Sequence, residues 1–407
     1  MKKRIVSCLL MLCLLLTACG STSGQEFDDL KPMPGFDAQN QYSLLGGMFA
    51  FQETDTFFCG GGSQTNYLQY YDKASGISGV LCADPACSHD TNACSAYVGL
   101  MGASLSWYDG ALYWVAKSGD TSDKDDYLWR DNLSGAGREK IKRISFEDIT
   151  LVYQPQQYMI HRGRLYVLGR ANAVTDTGTG HRITLLSAPL DEFEEFTVLY
   201  DQTFDASEPT VRFVGNSIYL SLFSWHWDEE DAFEGIVTIT KIDATTGKSE
   251  VVYEEAGFTE SASGLWVTAQ GEIYLPLEGD DYGGSVWKIE DGKRTEIISW
   301  EGNDSYVKLM DGIAANFTSE KLESGDRIRY VDIKNYAGET IYSGELFPEG
   351  IPEFPTAPGN FSFAVVGGDA EKIIFSMSDF LDGVHTVYMV MVDLIDMKPT
   401  ILWSSKG

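Results

Sequence analysis

Three cysteines and one histidine fall within thirteen residues, Cys82, Cys87, His89 and Cys94, with the spacing C-x4-C-x-H-x4-C. Thiolate sulfur and imidazole nitrogen are the donors of a tetrahedral Zn²⁺ site, so these four are candidate metal ligands. The spacing is not that of a standard finger or knuckle, and the same atoms serve two other chemistries. Paired thiols form disulfides in an exported protein, and a thiol of low pKa is a redox centre or nucleophile. Cys59 lies twenty-three residues upstream and is the further cysteine that two disulfides would need. The sequence admits all three states.

Hard oxygen donors form a second group. Asp120, Asp123, Asp125 and Asp126 lie in one short run, and Glu278, Asp280 and Asp281 in another. Such carboxylates can hold Ca²⁺, although neither run has the ordered ligand and glycine positions of an EF-hand loop. Trp225, His226 and Trp227 precede Asp228, Glu229, Glu230 and Asp231. Indole faces beside carboxylates suit a sugar, so Trp225 and Trp227 are candidate ligand contacts; the plain alternative is that both cover a sheet edge. No G-x-S-x-G elbow, H-E-x-x-H pair or phosphate-cradling glycine loop is present, and His161, His181 and His385 each stand alone. A paired-carboxylate glycosidase site cannot be located by spacing among so many acids.

The chain has 407 residues, 43% hydrophobic and 13% aromatic, enough for a large core and far from a disordered composition. It carries 30 basic and 60 acidic residues, a net charge of −30. Affinity for nucleic acid needs clustered Lys and Arg, so a nucleic-acid partner is excluded as an expectation. Attraction of the folded surface to anionic lipid fails for the same reason.

Lys2, Lys3 and Arg4 precede an apolar run from Ile5 to Ala18. Fourteen residues are too few to span a bilayer comfortably and fit the h-region of a secretory signal. The run ends Leu16-Thr17-Ala18-Cys19-Gly20, which resembles the bacterial lipobox. That resemblance implies diacylglycerol on the Cys19 sulfur and cleavage after Ala18. It predicts a signal peptide over residues 1–18 and a lipidated N-terminus with a polar, flexible tether over residues 19–40. The protein is then held at the extracytoplasmic face of the cell membrane, since two acyl chains suffice for stable anchoring. Loss of Lys2, Lys3 and Arg4 with the leader takes the net charge to −33.

Residues 41–407 repeat. A turn residue followed by aliphatic and aromatic residues recurs, with its fourth residue at Phe58, Tyr113, Tyr166, Tyr219 and Tyr274, at intervals of 53 to 55. A degenerate copy begins at Asp311-Gly312-Ile313, and another runs Glu371 to Phe375. A second piece lies downstream in several units: alternating β-branched and aromatic residues, then Asp and Gly, as in Tyr70-Tyr71-Asp72-Lys73-Ala74-Ser75-Gly76 and Ile242-Asp243-Ala244-Thr245-Thr246-Gly247. Seven units of about four strands each predict an all-β, seven-bladed β-propeller. The units resemble the blades of TolB-like propellers. The cysteine segment follows a Tyr-Asp-Lys-x-x-Gly hairpin and resembles an insert in uncharacterised propeller lipoproteins of Gram-positive bacteria, for which no chemistry is implied. The last unit looks complete, and no strand borrowed from the N-terminus is visible, so the sequence leaves ring closure open.

Blade geometry bears on the cysteines. Cys59 is expected to close the second strand of blade one and Cys82 its fourth, so both leave at the same end of the blade, about 10 Å apart across two strand spacings. A disulfide needs Cα atoms roughly 4.4–6.8 Å apart, so Cys59 is expected to meet Cys87 or Cys94 rather than Cys82. On any of the three readings the loop is expected to stabilise the junction of blades one and two.

The functional expectation is a membrane-anchored lipoprotein whose propeller binds a peptide, a glycan or an envelope protein, with cationic ligands favoured by the charge. Two alternatives stand beside it: a glycan-active or metal-dependent enzyme with its site in the central funnel, and a structural subunit of an envelope complex marked by a broad apolar patch.

Overall fold

The computed structural model describes residues 38–39 and 49–406, apart from 63–64, 99–100, 118–124, 135–137, 145–152, 176–177, 191–195, 228–232, 263, 280–281, 302–305, 324–326, 349, 352–361 and 382–383. Residues 1–37, with Cys19, the expected leader and most of the expected tether, lie outside the described residues.

The described chain forms seven antiparallel sheets, each built from four consecutive strands. Blade one runs from Phe49–Glu53 to Ser78–Val80, blade two from Met101–Tyr108 to Glu139–Ile144 and blade three from Tyr153–His161 to Thr197–Phe204. Blade four runs from Ala206–Val214 to Ser249–Phe258 and blade five from Trp266–Val267 to Lys293–Ser299. Blade six runs from Tyr306–Met310 to Thr340–Glu345 and blade seven from Ser362–Gly368 to Pro399–Lys406. The first strands of neighbouring blades approach one another, which places them around the axis. Most fourth strands expose alternate or successive residues, as in Lys293–Ser299, which places them at the rim. The recurring aromatic motif falls in all seven second strands, including the degenerate copy in Ile313–Lys321.

Side chains alternate across each strand, so each sheet has two apolar faces. In blade four, Leu220 and Leu222 pack toward blade three, whereas Tyr219 and Phe223 pack toward blade five. Seven buried clusters result, one between each pair of neighbouring blades. Tyr274 and Tyr336 stack at 4.0 Å between blades five and six. Tyr166 and Phe213 lie 4.8 Å apart between blades three and four.

The Asp-Gly signature has a direct cause. The Asp72 carboxylate accepts from the amides of Ala74 and Ser75, and Asp243 does the same for Thr245 and Thr246. Each bond turns the chain back after the third strand, and Gly76 and Gly247 then take positive φ of 70° and 68°.

Among the described residues the ring closes without a shared strand. Blade seven meets blade one through Phe51, Phe58, Val366, Ile374, Met389, Leu402 and Trp403. The Phe51 ring stacks at 5.8 Å on both Phe58 and Trp403. Lys372 of blade seven reaches Glu53 of blade one at 3.3 Å. The N-terminal segment takes a different place: Ala38–Gln39 pairs antiparallel with Phe213 and Val214, on the axial edge of blade four.

If side-chain burial alone holds this seam, Phe51→Ala or Trp403→Ala lowers the unfolding free energy by about 3 kcal/mol or more. Val251, exposed at the rim of blade four, serves as control, and Val251→Ala changes stability by less than about 0.5 kcal/mol. Urea unfolding checks this; seam variants indistinguishable from the control contradict it.

Candidate metal centre and loop-face cleft

Successive connections in an antiparallel meander alternate between the two ends of a sheet. One face of the ring therefore carries the tight turns. The other carries the second-to-third strand loops and the links between blades. The cysteine segment and a cleft between blades three and four both lie at this second face.

The cysteine loop interrupts the outer strand of blade one. The strand Ser78–Val80 pairs with Gln69–Tyr71, and the Leu81 amide donates to the Leu68 carbonyl at 2.9 Å. After fourteen residues the ladder resumes. Leu68 donates to the Ala96 carbonyl at 2.8 Å, Tyr67 bridges Tyr97, and Val98 donates to the Asn66 carbonyl at 2.7 Å. The two ends of the excursion are thus held one above the other.

Within the loop, the Asp84 carboxylate accepts from the Ala86 amide at 2.9 Å, and the Cys94 amide donates to the Thr91 carbonyl at 3.2 Å. His89 adopts a left-handed backbone, φ 53°. The folded loop brings the Sγ atoms of Cys82, Cys87 and Cys94 and a ring nitrogen of His89 within 4.8 Å of one another. His89 Nδ1 lies 3.4 Å from Cys94 Sγ, and the Ser95 hydroxyl donates to Cys82 Sγ at 3.2 Å. The Tyr67 ring flanks the group, 6.4 Å from His89 and 5.7 Å from Tyr97.

Cys82, Cys94 and Cys59 differ electrostatically. The Ser95 hydroxyl, with the Asp84 backbone and the neighbouring thiols, lowers the Cys82 pKa to about 7. Burial pushes Cys94 up to about 11. Cys59 is fully buried in the core between blades one and two, and burial pushes it up to about 12. All four described cysteines are free, and Cys59 stands apart from the cluster, so the expected approach of Cys59 to Cys87 or Cys94 is not what the fold produces.

One further residue belongs to the site. Arg138, just before the outer strand of blade two, lays its guanidinium 5.1 Å from the ring centres of both Tyr97 and Trp129. Its Nη2 donates to the Asn92 carbonyl at 3.2 Å. Its Nη1 is buried without a hydrogen-bond partner among the described residues. Burial lowers its pKa, and Tyr97 and Cys94 act in the opposite direction. The loop of blade one is therefore docked on blade two, as expected for a junction-stabilising element, through a contact forty-six residues away that no local spacing could reveal.

The remaining sequence candidates disperse. Asp120 and Asp123 lie outside the described residues; Asp125 pairs with Arg143 at 2.7 Å, and Asp126 sits opposite Lys117 in the blade-two ladder, its pKa raised by burial. Asp280 and Asp281 also lie outside the described residues, and Glu278 accepts from the Val307 amide at 2.7 Å. Trp225 is half-buried and packs 5.7 Å from Phe223 in the core between blades four and five. Its ladder partner must be Gly235, because a Cβ there would lie 2.5 Å from the Phe223 ring. The side chain of Trp227 lies outside the described residues. His161 is buried and contacts the Gly215 carbonyl at 2.7 Å, bridging blades three and four.

The cleft has no sequence signature. It encloses about 640 Å³ and is lined by Thr175, Thr203, Phe204 and Asp205 of blade three with Ser224, Ile236, Thr238, Glu254, Glu255 and Ala256 of blade four. Hydroxyls, carboxylates and one aromatic ring converge there from strands far apart in the chain. Glu255 is already engaged by Arg294 at 3.0 Å, whereas Glu254 is exposed.

No protein-family model and no curated protein matches the sequence. Among solved structures, a puromycin hydrolase is similar over 90% of this chain and 55% of its own, with 12% identity and a TM-score of 0.50. An ulvan lyase, a polysaccharide lyase, aligns over 88% of this chain and 98% of its own, at 12% identity and a TM-score of 0.49. A puromycin-hydrolysing peptidase of Mycobacterium tuberculosis aligns over 91% and 55%, at 13% identity and 0.48. The chain thus spans about half the length of the puromycin hydrolase. At 12% identity the likeness to the puromycin hydrolase speaks for the fold alone, and no residue role transfers.

Alkylation separates the thiols. In reduced, metal-free protein, iodoacetamide modifies Cys82 first. The rate rises as pH climbs through about 7 and levels off above it, because the thiolate is the nucleophile. Cys59 reacts only after denaturation. Peptide mapping that finds Cys59 modified in the folded protein contradicts this assignment.

Proposed function

We propose that the protein is a lipid-anchored extracytoplasmic lipoprotein of the bacterial envelope, and that its propeller is a binding module for a cationic, hydroxyl-bearing ligand. The observation that carries the binding reading is the cleft between blades three and four. Asp205 and Glu254 supply negative charge, Thr175, Thr203, Ser224 and Thr238 supply hydroxyls, and Phe204 supplies an apolar wall. Pockets that orient ligands combine such a wall with a few convergent polar groups. A rigid ring holds the two sides in fixed relation, and loops on one face are free to vary around it. The anchor reading rests on the lipobox-like Leu16-Thr17-Ala18-Cys19. It places the ring on a tether outside the membrane, where cationic peptides and amino sugars are at hand.

The two parts are tested separately. In a bacterial host, Cys19→Ser abolishes acyl labelling and moves the protein out of the detergent phase, while the wild-type protein begins at Cys19 after processing. Retained acylation, or a processed terminus elsewhere, overturns the anchor. For the cleft, full-length protein cross-linked in intact envelopes is compared with the Asp205→Lys/Glu254→Lys double variant. Recovery of the captured ligand or partner falls at least about tenfold on reversal of two charges at close range. Equal recovery removes the cleft from the mechanism.

A further inference from the structure

We infer that Cys82, Cys87, His89 and Cys94 bind one Zn²⁺ in a closed, structural site, and that Arg138 of blade two is the positioning residue that compensates its charge. The inference does not depend on the anchor or on the cleft.

Geometry is the first argument. Around Zn²⁺, sulfur sits about 2.3 Å and imidazole nitrogen about 2.0–2.1 Å from the metal, so tetrahedral ligands lie roughly 3.5–3.8 Å apart. The four donors already lie within 4.8 Å of one another, and His89 Nδ1 is 3.4 Å from Cys94 Sγ. Small rotations of side chains complete the tetrahedron. Main-chain hydrogen bonds to Leu68 and Asn66 hold both ends of the loop in place.

Donor count is the second argument. Three thiols and an imidazole converge on one point. Disulfide formation inside the cluster uses two of the thiols and strands the third, because Cys59 is fully buried in the interblade core. A metal uses all four donors. Soft thiolates with an imidazole select Zn²⁺ over Mg²⁺ or Ca²⁺, and four protein ligands leave no position for substrate or water, so the site is structural.

Charge is the third argument. Three thiolates and a neutral imidazole around Zn²⁺ leave a net charge of −1, and binding releases the protons of those thiols still protonated. The Arg138 guanidinium is held beside the loop by Tyr97, Trp129 and the Asn92 carbonyl. Its Nη1 donor is buried and unpartnered among the described residues. A half-buried cation with a spare buried donor, docked on the loop that carries Cys94, is the complement that an anionic metal–thiolate centre requires. The metal then fixes the broken outer strand of blade one, and Arg138 carries that fixation across to blade two.

The test uses the full-length protein purified under reducing conditions. Elemental analysis finds one zinc per chain. Exchange for Co²⁺ gives the intense visible bands of a tetrahedral centre and a near-ultraviolet sulfur-to-cobalt charge-transfer band. Cys87→Ser loses the metal, and Cys59→Ser keeps it. Competition with a chromogenic chelator then weighs Arg138: Arg138→Gln lowers zinc affinity about 10–100-fold, and Arg138→Lys recovers most of it. Both variants lose the guanidinium stack on Tyr97 and Trp129 and lower the melting temperature of the metal-free protein alike, so recovery of zinc affinity by Lys alone separates charge compensation from mere packing. The Co²⁺ spectrum of the wild-type protein decides the ligand set even if Cys87→Ser fails to fold. For protein purified in parallel without reductant, an intact mass lower by two or four hydrogens with no bound metal overturns the site in favour of disulfides. A cobalt spectrum without sulfur charge transfer overturns the ligand set. Wild-type affinity in Arg138→Gln overturns the role of Arg138.

Discussion

A sheet that is apolar on both faces must be covered on both faces, and this requirement sets the shape of the whole molecule. Leu220 and Leu222 look one way from blade four, and Tyr219 and Phe223 look the other. An open row of such sheets would end in two bare apolar surfaces. Closing the row removes both ends. Among the described residues the backbone contributes no ladder at the closure, and Phe51, Phe58 and Trp403 supply cohesion there, with Glu53 and Lys372 joined across the seam. Aromatic rings suit that task because each buries a large area and tolerates the tilt between twisted sheets.

The same alternation that fills the interblade cores also sorts the connections. Tight turns end on one side because an Asp carboxylate caps the amides that follow it, as at Asp72 and Asp243. Longer links collect on the other side, where chain can be added without touching the core. The cysteine loop shows how far this goes. The outer strand of blade one breaks at Leu81 and resumes at Ala96 in register with the same neighbour, so fourteen residues enter while Asn66 and Leu68 keep their main-chain partners. Backbone satisfaction at the two ends is what makes such an insertion tolerable.

Much of the fold was legible because it is repeated. A turn followed by a hydrophobic and aromatic strand marks every second strand, and seven marks give seven blades. The cysteine cluster was legible because its members are close in sequence and the loop has only to fold on itself. Legibility failed where contacts cross blades. Nothing near Arg138 in the chain signals that it reaches Tyr97 and Asn92. Asp205 and Glu254 meet at the cleft only because consecutive blades stand side by side. Trp225 is a related case. Beside Trp227 and four acids it is a candidate ligand contact, and strand alternation also packs this half-buried ring against Phe223, a contact that the local sequence does not show. Ala38–Gln39 is the extreme case: two residues without apolar pattern find an axial strand edge that exists only after the ring has formed.

Charge has to be weighed locally as well. The chain has twice as many acidic as basic residues, but at physiological salt the field of exposed charges fades over about 8 Å. Net charge alone therefore attracts little from a distance. Several cations are tied down by aromatic rings: Arg138 over Tyr97 and Trp129, Lys140 over Tyr127, Arg294 over Phe258 and Trp287. These contacts place the scarce positive charge along blade edges. At the loop-face cleft, Glu254 shares a wall with hydroxyl groups and an aromatic ring, so a cation arriving there meets charge, hydrogen-bond acceptors and apolar surface together. At the cysteine cluster the relation is inverted, since the half-buried Arg138 guanidinium is docked on the loop that carries the thiols. Both features follow from one arrangement: the fold commits its basic side chains to fixed places, and the chemistry of each site is set by which of them lies within a few ångströms.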